Sequence, residues 1–282
     1  MTTAPATTAP ATTAPTTTAA AVEVTAHPAG YRRAVRSEWI KARSLRSTWI
    51  LVAFALAAFV GVPTLVVANA SDVGTSSSAE VMGVLYFGLD FVLLLVAVLG
   101  ALLTTSEFTT GMARNTFTAT PGRGKVLAAK ATIAGLFALA IGIVGLATAW
   151  AVNAGGLADL GVSIDLGDTA TMRALLVNQL SIVVFAMLAV ALGVLLRSSV
   201  GAIFTIVAMQ LILPGVLAIV PNTIANWVGA VLPSAAASAA VATEPLAAGQ
   251  IGLDSGWGLV VLLAWAVVPM AGALVSLRAR DI

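Results

Sequence analysis

Six runs of about 20 mostly apolar residues govern what this chain can fold into. They are Thr48 to Asn69, Met82 to Leu103, Ala131 to Val152, Ala174 to Leu196, Val200 to Val220 and Trp257 to Leu277. As helices, runs of that length rise about 30 Å, the thickness of a bilayer's hydrocarbon core. The strands of a transmembrane barrel would alternate in shorter segments, and these runs do not. Only 9% of the residues are charged, against about 25% in an ordinary soluble domain. The mean hydropathy of +1.02 agrees with lipid around most of the surface. The expected fold class is all-α, a polytopic membrane protein with six transmembrane helices.

The basic residues sort by loop. Arg32, Arg33, Arg36, Lys41, Arg43 and Arg46 precede the first run. Arg114, Arg123, Lys125 and Lys130 fall between runs two and three, Arg197 between four and five, and Arg278 and Arg280 after six. Only Arg173 lies on the other side. Because positive residues stay with the cytoplasm, both termini are expected there, in a multi-pass protein of the cell membrane. Asp72, Glu80, Asp159, Asp165, Asp168, Glu244 and Asp254 fall on the outer side, but the rule gives acids little weight.

Two units follow: a tail over residues 1–30 and a membrane domain over 31–282. The tail opens with an irregular Thr/Ala/Pro repeat that cannot build a packed core, so it is expected to be disordered. His27, the single histidine, has no second ligand nearby in sequence. From Tyr31 to Trp49 the pattern changes. On a 100° wheel Tyr31, Val35, Trp39, Ala42, Leu45 and Trp49 share one face, while Arg32, Arg33, Arg36 and Arg43 share another. That distribution predicts an amphipathic helix lying along the cytoplasmic lipid surface before the chain enters span one. On the outer side, Pro221 to Gly256 is long and fairly apolar, with room for short re-entrant or surface-lying helices but not for two spans.

Chemistry is sparse. The chain has no cysteine, one histidine, and neither an HExxH nor a GxSxG pattern. No catalytic or metal-binding residue is expected, the chain is not read as an enzyme, and no nucleic-acid partner is expected. Asp90 falls within span two, where an acid at mid-bilayer costs roughly 2.5–3.5 kcal/mol. Two readings stand. Asp90 faces a cavity or permeation path, or the span begins later and Asp90 meets headgroups or outer water. Asn178, Gln179 and Gln210 read as interhelical hydrogen-bonding groups, with Asn178 and Gln210 joining Asp90 as candidates for a substrate path. Pro63, Pro214 and Pro269 are positioned to kink spans one, five and six.

The richest connection is Thr104 to Lys130, TTSEFTTGMARNTFTATPGRGKVLAAK. Its Gly122-Arg123-Gly124-Lys125 is not a phosphate loop. GxxxxGK[ST] needs glycine where Ala119 stands and a hydroxyl where Val126 stands. Thr104 and Glu107 fit the [ST]-x-x-[DE] capping box, which predicts a new helix starting where span two ends. Phe108 and Met112, four apart, would share a face with Arg114 and Asn115 beside them. Such a helix suits either a surface-resting linker or a ball for a socket on a soluble subunit.

Four stretches resemble the permease subunits of ABC-2-type transporters, ATP-driven exporters whose membrane and ATPase parts are often separate chains. SEWIKARSLRSTW (Ser37 to Trp49) is similar to that family's amino-terminal interfacial helix. SEFTTGMARNTFTATPGRGKVLAAK (Ser106 to Lys130) resembles its coupling segment, with Phe108 where the family commonly has Tyr. LGVLLRSSVGAI (Leu192 to Ile203) resembles the turn between spans four and five, and LPSAAASAA (Leu232 to Ala240) the outer segment before span six. The resemblance implies a six-span half-transporter with a cytoplasmic coupling helix between spans two and three. It implies a second permease chain, identical or related, and two ABC ATPase subunits that hold ATP and Mg, with no cofactor bound by this chain. It also implies coupling roles for Glu107, Phe108, Gly111, Met112 and Arg114.

The expected function is therefore export of an unidentified cargo, with lipophilic or antibiotic-like molecules suiting the apolar spans. The alternatives are a proton-coupled secondary transporter, for which Asp90 would be the titrating group, and a non-transporting membrane sensor or immunity protein.

Overall fold

A computed structural model describes residues 30–69, 78–109, 122–159, 164–220, 222–247 and 249–279; at positions 78, 79, 108 and 109 only the backbone is described. The tail before Gly30, and Gly111, Met112 and Arg114 of the loop, lie outside the described residues. The elements in chain order are α1 (Tyr31–Ser44), α2 (Arg46–Asn69), α3 (Ser78–Leu85), α4 (Leu89–Thr109), α5 (Arg123–Asp159) and α6 (Thr169–Leu196). They continue with α7 (Ser199–Val207), a π-helical turn (Ala208–Ile212), α8 (Leu213–Ile219), α9 (Thr223–Ala230), α10 (Pro233–Val241) and α11 (Ser255–Ala279).

Six of these are long and apolar enough to cross a membrane: α2, α4, α5, α6, the continuous run from α7 to α8, and α11. The chain is thus an all-helical, multi-pass membrane protein. The reason is the one visible in the sequence. No water reaches the hydrocarbon core to satisfy backbone groups, so each apolar run must satisfy its own.

Helix α6 is the axis of the bundle, and α3, α4, α5, α7, α10 and α11 all pack on it. Its ends are capped locally. Asp168 accepts from the Thr171 backbone N–H at 2.9 Å and from its hydroxyl at 2.8 Å. At the other end Arg197 is left-handed at φ 50° and donates its N–H to Gly193 O, and Ser198 then caps α7 by accepting from Gly201 N. The chain therefore reverses within two residues between spans four and five.

Helices α4 and α6 approach closely because Gly100 has no side chain. A Cβ there would lie 2.7 Å from the Ala186 carbonyl oxygen. Between α2 and α5, Gly145 plays the same part, and a Cβ would meet the Phe59 ring at 2.7 Å. Lipid tails are as apolar as leucine, so helices in a membrane gain little from hydrophobicity and much from such contact.

Three boundaries differ from the sequence expectation. Span two was expected from Met82, but the chain turns between Leu85 and Leu89. Phe87 N bonds Val84 O and Leu89 N bonds Tyr86 O, three-residue bonds that break the α register. Gly88 lets this turn sit against α2, where a Cβ would lie 2.9 Å from the Val62 Cβ. Second, α5 runs for 37 residues, about 55 Å at 1.5 Å per residue, well beyond the expected Ala131 to Val152.

Third, the capping box at Thr104 starts no helix, because α4 continues through it to Thr109. Thr104 Oγ1 donates to Gly100 O at 3.2 Å and Thr105 Oγ1 to Ala101 O at 2.8 Å. Both hydroxyls bond back to the preceding turn, the alternative open to a threonine whose own N–H is already intrahelical.

The segment before span six, expected to hold short helices, does so: α9 and α10 form a pair bent by 75°. Trp265 Nε1 donates to Val231 O at their junction, and Arg173 Nε donates to Ala240 O at the end of α10, each at 2.8 Å.

Replacing Gly100 with valine should force α4 and α6 apart, an overpacking cost of about 1–3 kcal/mol. The measurement is the thermal unfolding midpoint in detergent. A midpoint equal to wild type would mean that the helices do not need this approach.

Candidate functional site

Four ionisable side chains meet at the end of the bundle where α1 lies. Glu38 and Lys41 come from α1, Glu107 from the last turns of α4 and Lys130 from the second turn of α5. Lys41 Nζ lies 2.9 Å from Glu38 Oε1 and 2.6 Å from Glu107 Oε1. Lys130 Nζ lies 2.9 Å from Glu38 Oε2 and 3.0 Å from Glu107 Oε1. Each cation touches both anions and each anion both cations, so the four charges alternate around a closed ring and sum to zero.

The ring is largely dry, with Lys130 4% exposed and Glu38 and Glu107 6%. Lys130 has three N–H donors and three acceptors within reach, because Leu103 O lies at 3.2 Å in addition to the two carboxylates. That saturation makes burial of an ammonium tolerable. Lys41 is the more open member. Burial lowers the basicity of its ammonium, but its bonds to Glu107 and Glu38 outweigh that and hold the pKa above the ordinary 10.5.

Local sequence puts these groups in place. Ala34, Glu38 and Ala42 recur every four residues and form the buried stripe of α1. The small alanines let α1 lie close on α5, with Glu38 inward between them. The aromatic face expected to meet lipid is half-covered instead. Trp39 stacks on Phe137 of α5 at 5.5 Å, Trp49 meets the same ring edge-on at 6.4 Å, and Tyr31 Oη bonds Thr132 Oγ1 at 2.7 Å.

Of the expected coupling residues, Glu107 is therefore a buried member of the ring, and Phe108 contributes backbone to the end of α4. Glu38, Lys41 and Lys130 were not singled out in the sequence, where the two lysines look like flanking charge. One signal was available. Glu38 and Glu107 are the lone carboxylates of two otherwise basic segments, residues 30–50 and 104–130.

The expected substrate-path residues fall elsewhere. Asp90 sits in the first turn of α4 and accepts from Gln210 Nε2 at 2.6 Å. About 25 Å of helix separates it from Glu107, so the two acids mark the two ends of α4. Gln210 is buried in the π-helical turn, and its Oε1 has no partner among the described residues. Pro214 explains the turn. It lacks the N–H that Gln210 O would receive in an α-helix, and Leu213 N instead reaches back five residues to Ala208 O.

Asn178 is half-buried on α6 and bonds neither Asp90 nor Gln210 among the described residues. Gln179 departs from its expected bonding role, since neither amide atom finds a partner among the described residues. Its side chain lies against Gly142 of α5, beside a cavity of about 350 Å³ that includes Met82, Trp150 and Leu166. Among the described residues no three His, Asp or Glu side chains converge as metal ligands.

Fold and site together define a helical multi-pass membrane protein with a neutral ring of buried charge at one end of its bundle. No protein-family model and no curated protein matches the chain.

Lys130→Met should strand two buried carboxylates with one partner and cost about 3–5 kcal/mol. The Glu107→Gln/Lys130→Met double variant keeps the Glu38–Lys41 pair, so its loss should fall short of the summed single losses. A double-mutant cycle on thermal midpoints measures this, and additive losses would show that the ring is not one unit. The raised pKa of Lys41 sets a pH limit. Its contribution is complete below the ordinary lysine pKa and is lost as pH rises through the raised folded value. Trp39 fluorescence, which reports the stack on Phe137, should therefore hold from pH 7 to about 10 and change only above that.

Proposed function

We propose that this chain is the membrane-spanning subunit of an ABC-2-type exporter, working with a second permease chain and with separate ATPase subunits that hold ATP and Mg. Under this reading it sits in the cell membrane with both termini in the cytoplasm, and the α1 end of the bundle faces the ATPases. The cargo is a lipophilic or amphipathic molecule of unidentified structure.

The observation that carries the proposal is the charge ring at the foot of α4. The segment that resembles a coupling element begins at Ser106, and the ring ties its first residues to α1 and α5. A push on the end of α4 would thus reach α1 and span three through ion pairs of 3.0 Å or less. Alternating access needs an element whose contacts differ between two states, and the end of α4, tied by ion pairs to α1 and α5, suits that task. The order of helices adds support: an α1 that runs into span one, a tight turn after span four, and a bent helix pair before span six.

The test has two parts. The full chain should co-purify with an ATP-hydrolysing subunit when membranes are solubilised in mild detergent. Met112→Asp should then abolish cargo-stimulated ATP hydrolysis while leaving the purified permease's thermal midpoint unchanged. Retained stimulation in that variant would remove the loop from the coupling role. Under the proton-coupled alternative, transport would persist without ATP and collapse in Asp90→Asn. The exporter reading expects that variant to keep ATP-dependent transport, because asparagine can still accept from Gln210.

A further inference from the structure

Helices α5 and α11 touch at the α1 end and part further into the bundle. At the mouth Arg123 Nη1 donates to Leu277 O, and a Cβ on Gly124 would meet Leu274 Cδ1 at 3.2 Å. Below it α5 presents Gly124, Ala128, Ala131 and Gly135 toward α11, spacings of four, three and four that put small residues on one helical face. Beside those small residues the helices leave a groove of about 690 Å³, floored by Val183 and Met187 of α6 and flanked by Met270 and Leu274. Exposed Leu136 and Val267 at its rim open it to the lipid-facing surface.

From Gly124 to Leu139 the groove follows α5 for about 22 Å. One leaflet's hydrocarbon is about 15 Å deep, half of the bilayer core, so a single acyl chain fits along it. The charges at the mouth select the headgroup. Lys125 in the first turn of α5 and Arg278 in the last turn of α11 are both exposed, and neither pairs with a carboxylate among the described residues. The Arg123–Leu277 bond brings those two helix ends together. The start of α5 also carries the positive end of a 37-residue helix.

We propose that the α5–α11 groove is a binding site for an anionic phospholipid of the leaflet on the α1 side. One acyl chain lies between Gly135 and Met270, and the phosphate rests against Lys125 and Arg278. The inference does not depend on the transport reading.

Native mass spectrometry of the full chain in neutral detergent tests it, with dioleoylphosphatidylglycerol and dioleoylphosphatidylcholine added in turn. The wild type should retain one phosphatidylglycerol more tightly than phosphatidylcholine. Lys125→Gln with Arg278→Gln should lower the phosphatidylglycerol affinity roughly ten- to thirty-fold, at about five-fold per charge, and leave phosphatidylcholine unaffected. Gly135→Leu, whose Cβ would sit at an ordinary 3.7 Å from Val183, should weaken both lipids by filling the groove. Arg36→Gln, on the exposed face of α1, should change neither. Equal retention of the two lipids by the wild type overturns the site. So does a loss in Arg36→Gln as large as in the double variant, which would mean diffuse attraction. Unchanged retention in Gly135→Leu, or release of a second copy of the chain instead of lipid, likewise overturns it.

Discussion

An ammonium cannot be left alone at the edge of a bilayer's apolar region, and much of this structure answers that constraint. Lys130 is enclosed where α5 passes α4, and it needs two carboxylates that no single neighbouring helix supplies. Glu107 comes from α4, but Glu38 comes only from α1, which must therefore lie against the bundle rather than float on the lipid surface. Glu38 and Glu107 would in turn repel each other across Lys130, and Lys41 between them relieves that repulsion. Removing one member leaves an uncompensated buried charge, whereas the intact ring is neutral. The ring's value is therefore specificity of placement more than net stability. It joins α1 to α4 and α5 through side chains from all three.

Small residues do the complementary work deeper in the bundle. Gly100 and Gly145 bring α4 to α6 and α2 to α5 near backbone contact, where dispersion is strongest. The same tactic on the outward face of α5 has the opposite result. Gly124 meets Leu274 of α11 at the mouth, but beyond it Ala128, Ala131 and Gly135 line a groove that α11 does not fill. Whether a small-residue stripe seals an interface or opens a furrow depends on whether the partner is held in place from its ends. Helix α11 is held at one end by Arg123 and at the other by α10, where a Cβ on Gly258 would meet Ala240 N at 2.6 Å, so it cannot collapse onto α5.

How far the fold was legible follows from the length scale of each signal. Twenty apolar residues in a row have one reading, so the spans were found, with ends displaced by a few residues at most of them. Span two failed at its start because Met82 to Tyr86 is as apolar as the span itself. The turn there fits closely against α2, where a Cβ on Gly88 would lie 2.9 Å from the Val62 Cβ, a tertiary contact that no local pattern announces. Thr104 failed for a similar reason. A threonine and a glutamate three residues apart describe a cap only if the chain arrives non-helical, and α4 arrives already helical. The ring was the hardest to see. Its members lie at positions 38, 41, 107 and 130, and nothing local tells a lysine that orients a span from one buried between helices. Hydropathy also hides it, because two acids and two bases scattered over three helices look like ordinary flanking charge.

The far end of α4 completes the mechanical picture. There the helix packs on α7, and Gln210 of the π-helical turn donates to the Asp90 carboxylate. A hydrogen bond to a charged group is worth about 1.5–3 kcal/mol, whereas opening the ring strands buried charges at about 3–5 kcal/mol. The helix receiving that bond is already interrupted, since Pro214 removes an N–H and forces the π-helical turn at Ala208–Ile212. The turn keeps its own bond, Leu213 N–H to Ala208 O, off the α pattern. The two ends of α4 are thus held differently, one by buried charge shared with α1 and α5, the other by packing and a single polar bond against a helix that is itself interrupted.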